Sequence, residues 1–295
     1  MVAPELVKSG MITREVRAWI KDNVEPGDGY LQTCESVEKE IVARGGAPAF
    51  PTGIGVDEVT AHYSPQKDDS SVFDERDLIK VDFGVQVDGY LTDTSVTLTY
   101  NPEHEALLEA AERTLSVAVE TLRKDTRTGE IGRAVSREAA KYGFRTIENL
   151  TGHTIERYVV HAGKSVPNIY TPGAQQLRKG EVVAIEPFLT WKKAAGYVVD
   201  STPQTIFSLL LRKNTGKPDL DGFVTRIWEE RKTLPFTPRW YSDDYGREKL
   251  TTILGELVKR RIVRSYPTLV EASGCPVAQF EHTIALEDDG MQILT

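Results

Sequence analysis

The sequence predicts an α+β fold of two related halves around a shared site, with a helical piece inserted late in the chain. Three observations carry this reading. The order helix, helix, strand, acid-bearing strand occurs twice. Asp82 and Asp93 lie inside a strand pattern, where aspartate is depleted. The stretch from about 201 to 270 differs from both halves in its charge.

The first half opens with a helix over "PELVKSGMITREVRAWIKDNV", whose apolar residues recur at helical spacing, and "EPGDG" ends it. "YLQTCESVEKEIVARGG" is a second helix, stopped by Gly45-Gly46, and the extended "APAF" follows. Residues 79–100, "IKVDFGVQVDGYLTDTSVTLTY", read as a hairpin about Asp88-Gly89, a dipeptide that tolerates the two left-handed positions of a tight turn. The second half repeats the order. Asn101 caps and Pro102 starts a helix with Leu107, Leu108, Ala111, Leu115, Val119 and Leu122 on one face. "TGEIGRAVSREAAKYG" is its partner and "FRTIENL" is extended. "EVVAIEPFLTW" then reads as one apolar strand bearing an acid, as "DLIKVDFGV" does.

The late stretch breaks this pattern. Residues 212–270 hold 13 Lys and Arg against 8 Asp and Glu, whereas the whole chain carries a net charge of −8. Its polar opening, "RKNTGKPDLDGF", leads to the helical "REKLTTILGELVKRRIV". The reading is an inserted, solvated helical subdomain rather than a nucleic-acid binder.

The bulk numbers bound the class. With 295 residues, 40% of them hydrophobic and 27% charged, the chain can bury a sizeable core without disulfides. Its acidic balance argues against a protein that coats nucleic acid. Cys34 and Cys275 are far apart and in no metal-ligand spacing, which fits a reducing compartment. Glu5, Lys8 and Arg14 interrupt the N-terminal segment where a secretory signal would be apolar, and no apolar run approaches the ~18 residues of a membrane span. A cytoplasmic location is expected, with monomer as the default.

If Asp88-Gly89 is the turn, Val87 pairs with Tyr90 and Gly84 falls opposite Asp93. Asp82 then shares a face with Gly84, and the two carboxylates become diagonal neighbours about 7–8 Å apart at the backbone. Gly84 leaves the space between them open. Such a pair repels unless it shares a proton or a cation. His153, His161, Glu186 in "VVAIEPF" and Glu281 in "AQFEHTIAL" are further groups able to bind metal, and Asp82, Asp93, Glu186 and Glu281 fall in apolar strand patterns. Two aspartates, two glutamates and one histidine suit two hard-to-borderline divalent ions such as Mn, Fe or Co, with Zn less favoured.

At these residues the sequence resembles the methionine aminopeptidases of the pita-bread (creatinase/aminopeptidase) fold, in their type II, archaeal and eukaryotic class. The motifs are "GGAPAFPTG", "TAHYSP", "VDFGVQVDGYLTDT", "NLTGHTIERYVVHAGKSVPN", "AIEPF" and "AQFEHTI", and they run along nearly the whole chain. The resemblance implies pseudo-two-fold halves, with a catalytic domain of residues 1–200 and 271–295. A winged-helix-like subdomain of residues 201–270 would be inserted in it. It implies two divalent metal ions held by Asp82, Asp93, His153, Glu186 and Glu281. Asp82 would hold one ion, Asp93 and Glu281 would bridge both, and His153 and Glu186 would complete the other. His62 and His161 match the catalytic histidines, and Glu186 would also move the proton. Phe50, His62, Val160, His161, Phe188 and Tyr266 match the substrate pocket. His282 matches no catalytic role and faces away from Glu281, while His104, at a helix start, is read as solvated.

The activity so implied is removal of the N-terminal methionine from nascent polypeptides with a small second residue, with a transient ribosome contact and no membrane or specific nucleic-acid partner. Two other readings share the fold. A proline-directed aminopeptidase keeps similar ligands but lacks the insertion, and a non-catalytic protein binding ribosome or RNA would have lost ligands. An aspartic-type hydrolase on Asp82 and Asp93 leaves the other three groups without a role.

Overall fold

The computed structural model of the protein describes residues 2–123, 125–288 and 290–295. Lys124, within the helical segment "NPEHEALLEAAERTLSVAVETLRKD" that the sequence predicts, lies outside the described residues. Pro4 occupies the first helical position of α1 (Pro4–Asn23), where its missing N–H costs nothing. α2 (Tyr30–Ala43) follows and ends before Gly45, whose φ of 80° only glycine adopts without strain. Short β1 (Ala47–Pro48), β2 (Gly53–Val56) and β3 (Val59–Ala61) lead to the long hairpin of β4 (Leu78–Val87) and β5 (Tyr90–Thr99). Asp88 and Gly89 turn it with φ of 50° and 81°, the left-handed pair that the dipeptide foretold. β4 is central, pairing with β5 along one edge and with β1 and β2 along the other. Val16, Ile20, Val37 and Ile41 of the helices pack on Ile54, Val81, Phe83 and Val85 of this sheet.

The second half repeats the plan. α3 (Pro102–Thr121) is capped by the Asn101 side chain, which accepts from the Glu103 N–H. α4 (Thr128–Lys141) precedes β6 (Phe144–Thr146), β7 (Thr151–Ile155) and β8 (Ser165–Pro167). The segment read as one strand is two, β9 (Val182–Ile185) and β10 (Phe188–Trp191), broken at Glu186-Pro187. Pro187 has no N–H to give a ladder. His104 is 8% exposed, so it is buried in the second half rather than solvated.

β11 (Val198–Leu209) enters the late stretch, α5 (Pro218–Glu230), α6 (Ser242–Tyr245) and α7 (Arg247–Lys259) follow, and β12 (Val263–Glu271) returns antiparallel to β11. With β3 these two strands form a three-stranded sheet, and Phe223, Phe236, Ile253, Leu257 and Val263 make a core of their own beside it. β13 (Val277–Gln279), β14 (His282–Glu287) and β15 (Gly290–Ile293) close the chain. β15-β14-β9-β7-β8 is one sheet and β13-β10-β6 another.

The halves meet through hydroxyls. Thr283 Oγ1 donates to the Asp93 carbonyl (2.7 Å) and Thr97 Oγ1 to the Gln279 carbonyl (2.6 Å). These bonds seat β5 beside β13 and β14, and they bring the acid-bearing strands of both halves together. No helix among the described residues is long and apolar enough to cross a membrane.

Candidate metal centre and its cavity

The register puts Gly84 opposite Asp93 and Asp82 opposite Ser95, so both aspartates face one side of the hairpin. The room left by Gly84 is filled, contrary to the open cup expected. A Cβ at Gly84 would meet the Phe50 ring at 2.4 Å and the Thr92 carbonyl at 2.8 Å. Glycine here lets an aromatic ring approach the strand closely.

The glutamates are placed by breaks in strands rather than by strands. Glu186 sits between β9 and β10, and Glu281 between β13 and β14. A regular strand would alternate its side chains; leaving it lets Glu186 and Glu281 turn inward from the crossing point of two sheets. His153 comes from β7, paired with Ala184 of β9.

The five groups converge. One oxygen or nitrogen from each of Asp93, His153 and Glu281 lies within 4.8 Å of the other two. His153 Nε2 is 3.4 Å from Asp93 Oδ2 and 3.5 Å from Glu186 Oε1. Asp82, Asp93, His153 and Glu186 line a cavity of about 240 Å³, while Glu281, 1% exposed, lies beneath it. The same cavity is lined by Phe50, His62, Val160, His161, Phe188 and Tyr266, and also by Ile206 and Pro235 of the late stretch. The rings of His153 and His161 are 4.2 Å apart, and His62 meets Tyr266 edge-on at 5.5 Å. His62 holds a left-handed backbone (φ 65°) at the end of β3, which aims its ring into the cavity. His282 does not join; its Nδ1 pairs with Thr295 Oγ1 at 3.0 Å.

Electrostatically the centre is incomplete. Burial raises Glu186 and Glu281 well above the usual carboxylate range, and Asp93 and Asp82 add to it. Burial, then Asp93, does the same to Asp82, and burial lifts Asp93 to about 7. Burial pushes His153 down to about 4, so its imidazole is neutral and able to ligate. Asp82 Oδ1 and both Glu281 oxygens are buried and accept no hydrogen bond. Among the described residues no Lys or Arg forms an ion pair with any of the four carboxylates. Repelling acids with orphaned oxygens and a neutral imidazole are what a divalent cation completes.

Sequence reasoning missed two neighbours. Gln279 Nε2 donates to Glu186 Oε2 at 3.2 Å, and "AQFEHTI" contains it two residues from Glu281. Arg17 of α1 donates to the Glu281 carbonyl at 2.7 Å and to Thr94 Oγ1. Nothing in the helix sequence foretells that second contact.

Residues 5–217 match metallopeptidase family M24. The chain is 40% identical over 291 residues to the methionine aminopeptidase of Thermococcus kodakarensis, covering 98% of each. Among solved structures it is similar in fold to a thermophilic Arx1 (TM-score 0.84, 16% identity, 100% of this chain and 91% of that one). The methionine aminopeptidase of Thermotoga maritima is likewise similar (TM-score 0.71, 21% identity, 100% and 98%).

Proposed function

The chain belongs to metallopeptidase family M24, in the type II branch of its methionine aminopeptidases, and we propose that the acidic cavity is where it removes the N-terminal methionine of a polypeptide. The observation that carries the reading is a cluster of four buried carboxylates in which Asp82 Oδ1 and both Glu281 oxygens have no protein donor. Two divalent ions, held by Asp82, Asp93, His153, Glu186 and Glu281, fit that set, with Co, Mn or Fe favoured by the oxygen-rich donors and Zn second. Bound cations supply Lewis acidity, which polarises a scissile carbonyl and acidifies water.

The chain's own groups do the rest. Glu186, steadied by Gln279, takes the proton of the attacking water and passes it to the leaving amine. His62 and His161 hydrogen-bond the peptide group and the charge developing on its carbonyl oxygen. A free α-amino group would serve as a ligand to a bound ion, which a blocked or internal residue cannot supply, and this favours cleavage at the N-terminus over internal bonds. Phe50, Val160, Phe188 and Tyr266 form the apolar wall for the methionine side chain, with a small second residue next to them. We divide the chain into a catalytic domain of 1–200 with 271–295 and a winged-helix-like insertion of 201–270. The natural substrate is the emerging N-terminus of a nascent chain in the cytoplasm, reached by a monomer in transient contact with the ribosome.

The test is release of free methionine from Met-Ala-Ser, but no cleavage of Ala-Pro-Ser, by protein reconstituted with Mn, Fe or Co. Chelator must abolish the release. Absence of turnover with all three ions overturns the reading in favour of a non-catalytic binding protein, and cleavage of Ala-Pro-Ser alone favours a proline-directed peptidase.

A further inference from the structure

The cavity has a floor of metal-ligating groups and, on one side, a positive lip that the reaction above does not use. β11 and β12 run past its mouth with a clear division of faces. Phe207, Leu209 and Val263 point into the core of the late stretch. Ile206 and Tyr266, cross-strand partners, point the other way and line the cavity. Ser208 shares that second face, since its Oγ lies 3.1 Å from the Tyr266 hydroxyl. Arg264 is the cross-strand partner of Ser208, so it stands on the cavity face one strand repeat beyond Tyr266.

Arg264 is exposed, unlike the buried Val263 beside it. Four other cations of the late stretch are neutralised: Lys217 by Glu256, Lys249 by Asp219, Arg226 by Glu230 and Asp244, Arg247 by Asp68. Arg264 makes no ion pair or hydrogen bond among the described residues. It is near enough to the mouth for its charge to act on His161, after burial, His153 and His62. At the opposite end of the same strands Asp200 acts on His62 instead. The mouth is therefore polarised, with one free guanidinium at one lip.

We propose that Arg264 is a specificity-determining residue that receives an acidic side chain of the substrate two or three residues beyond the cleaved methionine. The spacing follows from the strands. Arg264 lies two residues from Tyr266, about 7 Å along the strand, and an extended peptide leaving the methionine pocket advances about 3.3 Å per residue. A peptide that carries an acid outside the mouth matches the positive charge there. A lysine or arginine at the same place meets like charge.

This inference rests on the peptidase reading, and the test separates the two. The substrates are Met-Ala-Glu-Ser-amide, Met-Ala-Gln-Ser-amide and Met-Ala-Lys-Ser-amide, with a second set carrying the same change at the fourth residue. Amidation removes the terminal carboxylate as a competing acid. Each enzyme is read as a ratio of kcat/KM for Glu over Lys. The native protein favours Glu about three- to fivefold in one set, the size of an exposed ion pair, through KM and not kcat. Arg264→Gln brings the ratio to one, Arg264→Glu inverts it, raised salt shrinks it, and Lys259→Gln preserves it. A native ratio of one in both sets, or a preference that survives Arg264→Gln, overturns the assignment while leaving the peptidase intact. An equal loss in Lys259→Gln also overturns it, since the effect would then be a diffuse field. No release from the Gln peptides overturns the peptidase reading, and this one with it.

Discussion

Two regions of this molecule that enclose carboxylates, a seam and the cavity, treat them in opposite ways. At the seam between α2 and the late stretch, Glu38 takes two hydrogen bonds from Arg239 (2.8 and 3.0 Å) and one from Trp240 Nε1 (2.8 Å). Burial alone would lower the Arg239 pKa, yet Glu38 raises it, so the pair is held ionised. In the cavity, four acids share no lysine or arginine, and burial pushes all four pKa values up. A buried acid that the chain itself neutralises is a fastening. One that the chain leaves bare is waiting for a cation from outside.

The comparison is broken first at the bare site. His153→Ala removes the neutral imidazole from the centre, and kcat/KM is expected to fall by on the order of 10³-fold or more, because several kcal/mol of transition-state stabilisation depend on the bound ions. Metal stoichiometry, measured by elemental analysis after dialysis, falls with it. Retained activity would mean that the cations are held elsewhere. The bare-site idea also has a stability signature. In chelated protein, Glu281→Gln keeps the shape and removes the cost of burying an ionisable acid, whose pKa burial raises, so unfolding by urea is expected to need about 1–3 kcal/mol more than in the parent. With metal present the same change destabilises, since binding to the native state alone is lost.

The fastened site responds with the other sign. Glu38→Ala strands Arg239, which is 3% exposed, and is expected to cost about 3–5 kcal/mol in denaturant unfolding, with or without metal. The seam also bears on the cavity. Arg231 donates to the Pro48 and Ala49 carbonyls at 2.9 Å, holding the segment that carries Phe50. Smaller again is Gly84→Ala. Its methyl would enter the Phe50 ring and the Thr92 carbonyl, at a cost of about 1–3 kcal/mol with a raised KM for methionyl peptides as the ring shifts. An unchanged KM would remove Phe50 from the substrate wall.

How much of this the sequence disclosed depends on the range of the interaction. The hairpin was legible because Asp88-Gly89 fixes a turn type and pairing then counts outward residue by residue, so Gly84 opposite Asp93 followed from local chemistry. The start of α3 was legible for the same reason, through Asn101 and Pro102. The two glutamates were found, but their setting was misread. Apolar runs around Glu186 and Glu281 look like strands, and only the crossing of two sheets reveals that each acid marks a break. His104 was taken for a surface residue because helix periodicity does not say what packs over a first turn. Glu38 and Arg239, 201 residues apart, carry no signal in either flank, and neither does the contact from Arg17 to Glu281, 264 residues away.

The smallest expected effect sharpens what kind of pairing matters at the seam. Arg247 of α7 and Asp68 also join the late stretch to the body, at 2.6 Å, closer than the bonds from Arg239 to Glu38. Both side chains are largely in water, 73% and 60% exposed, so solvent screens the charge and ordering two flexible groups offsets the attraction. Arg247 lowers the Asp68 pKa through their hydrogen bond, and solvent screening keeps the stability gained from so exposed a pair small. Asp68→Asn is therefore expected to leave the melting temperature unchanged within error at physiological salt, whereas Glu38→Ala shifts it by many degrees. Equal shifts from the two variants would mean that the distance between charges, and not their removal from water, decides which acids hold this fold together.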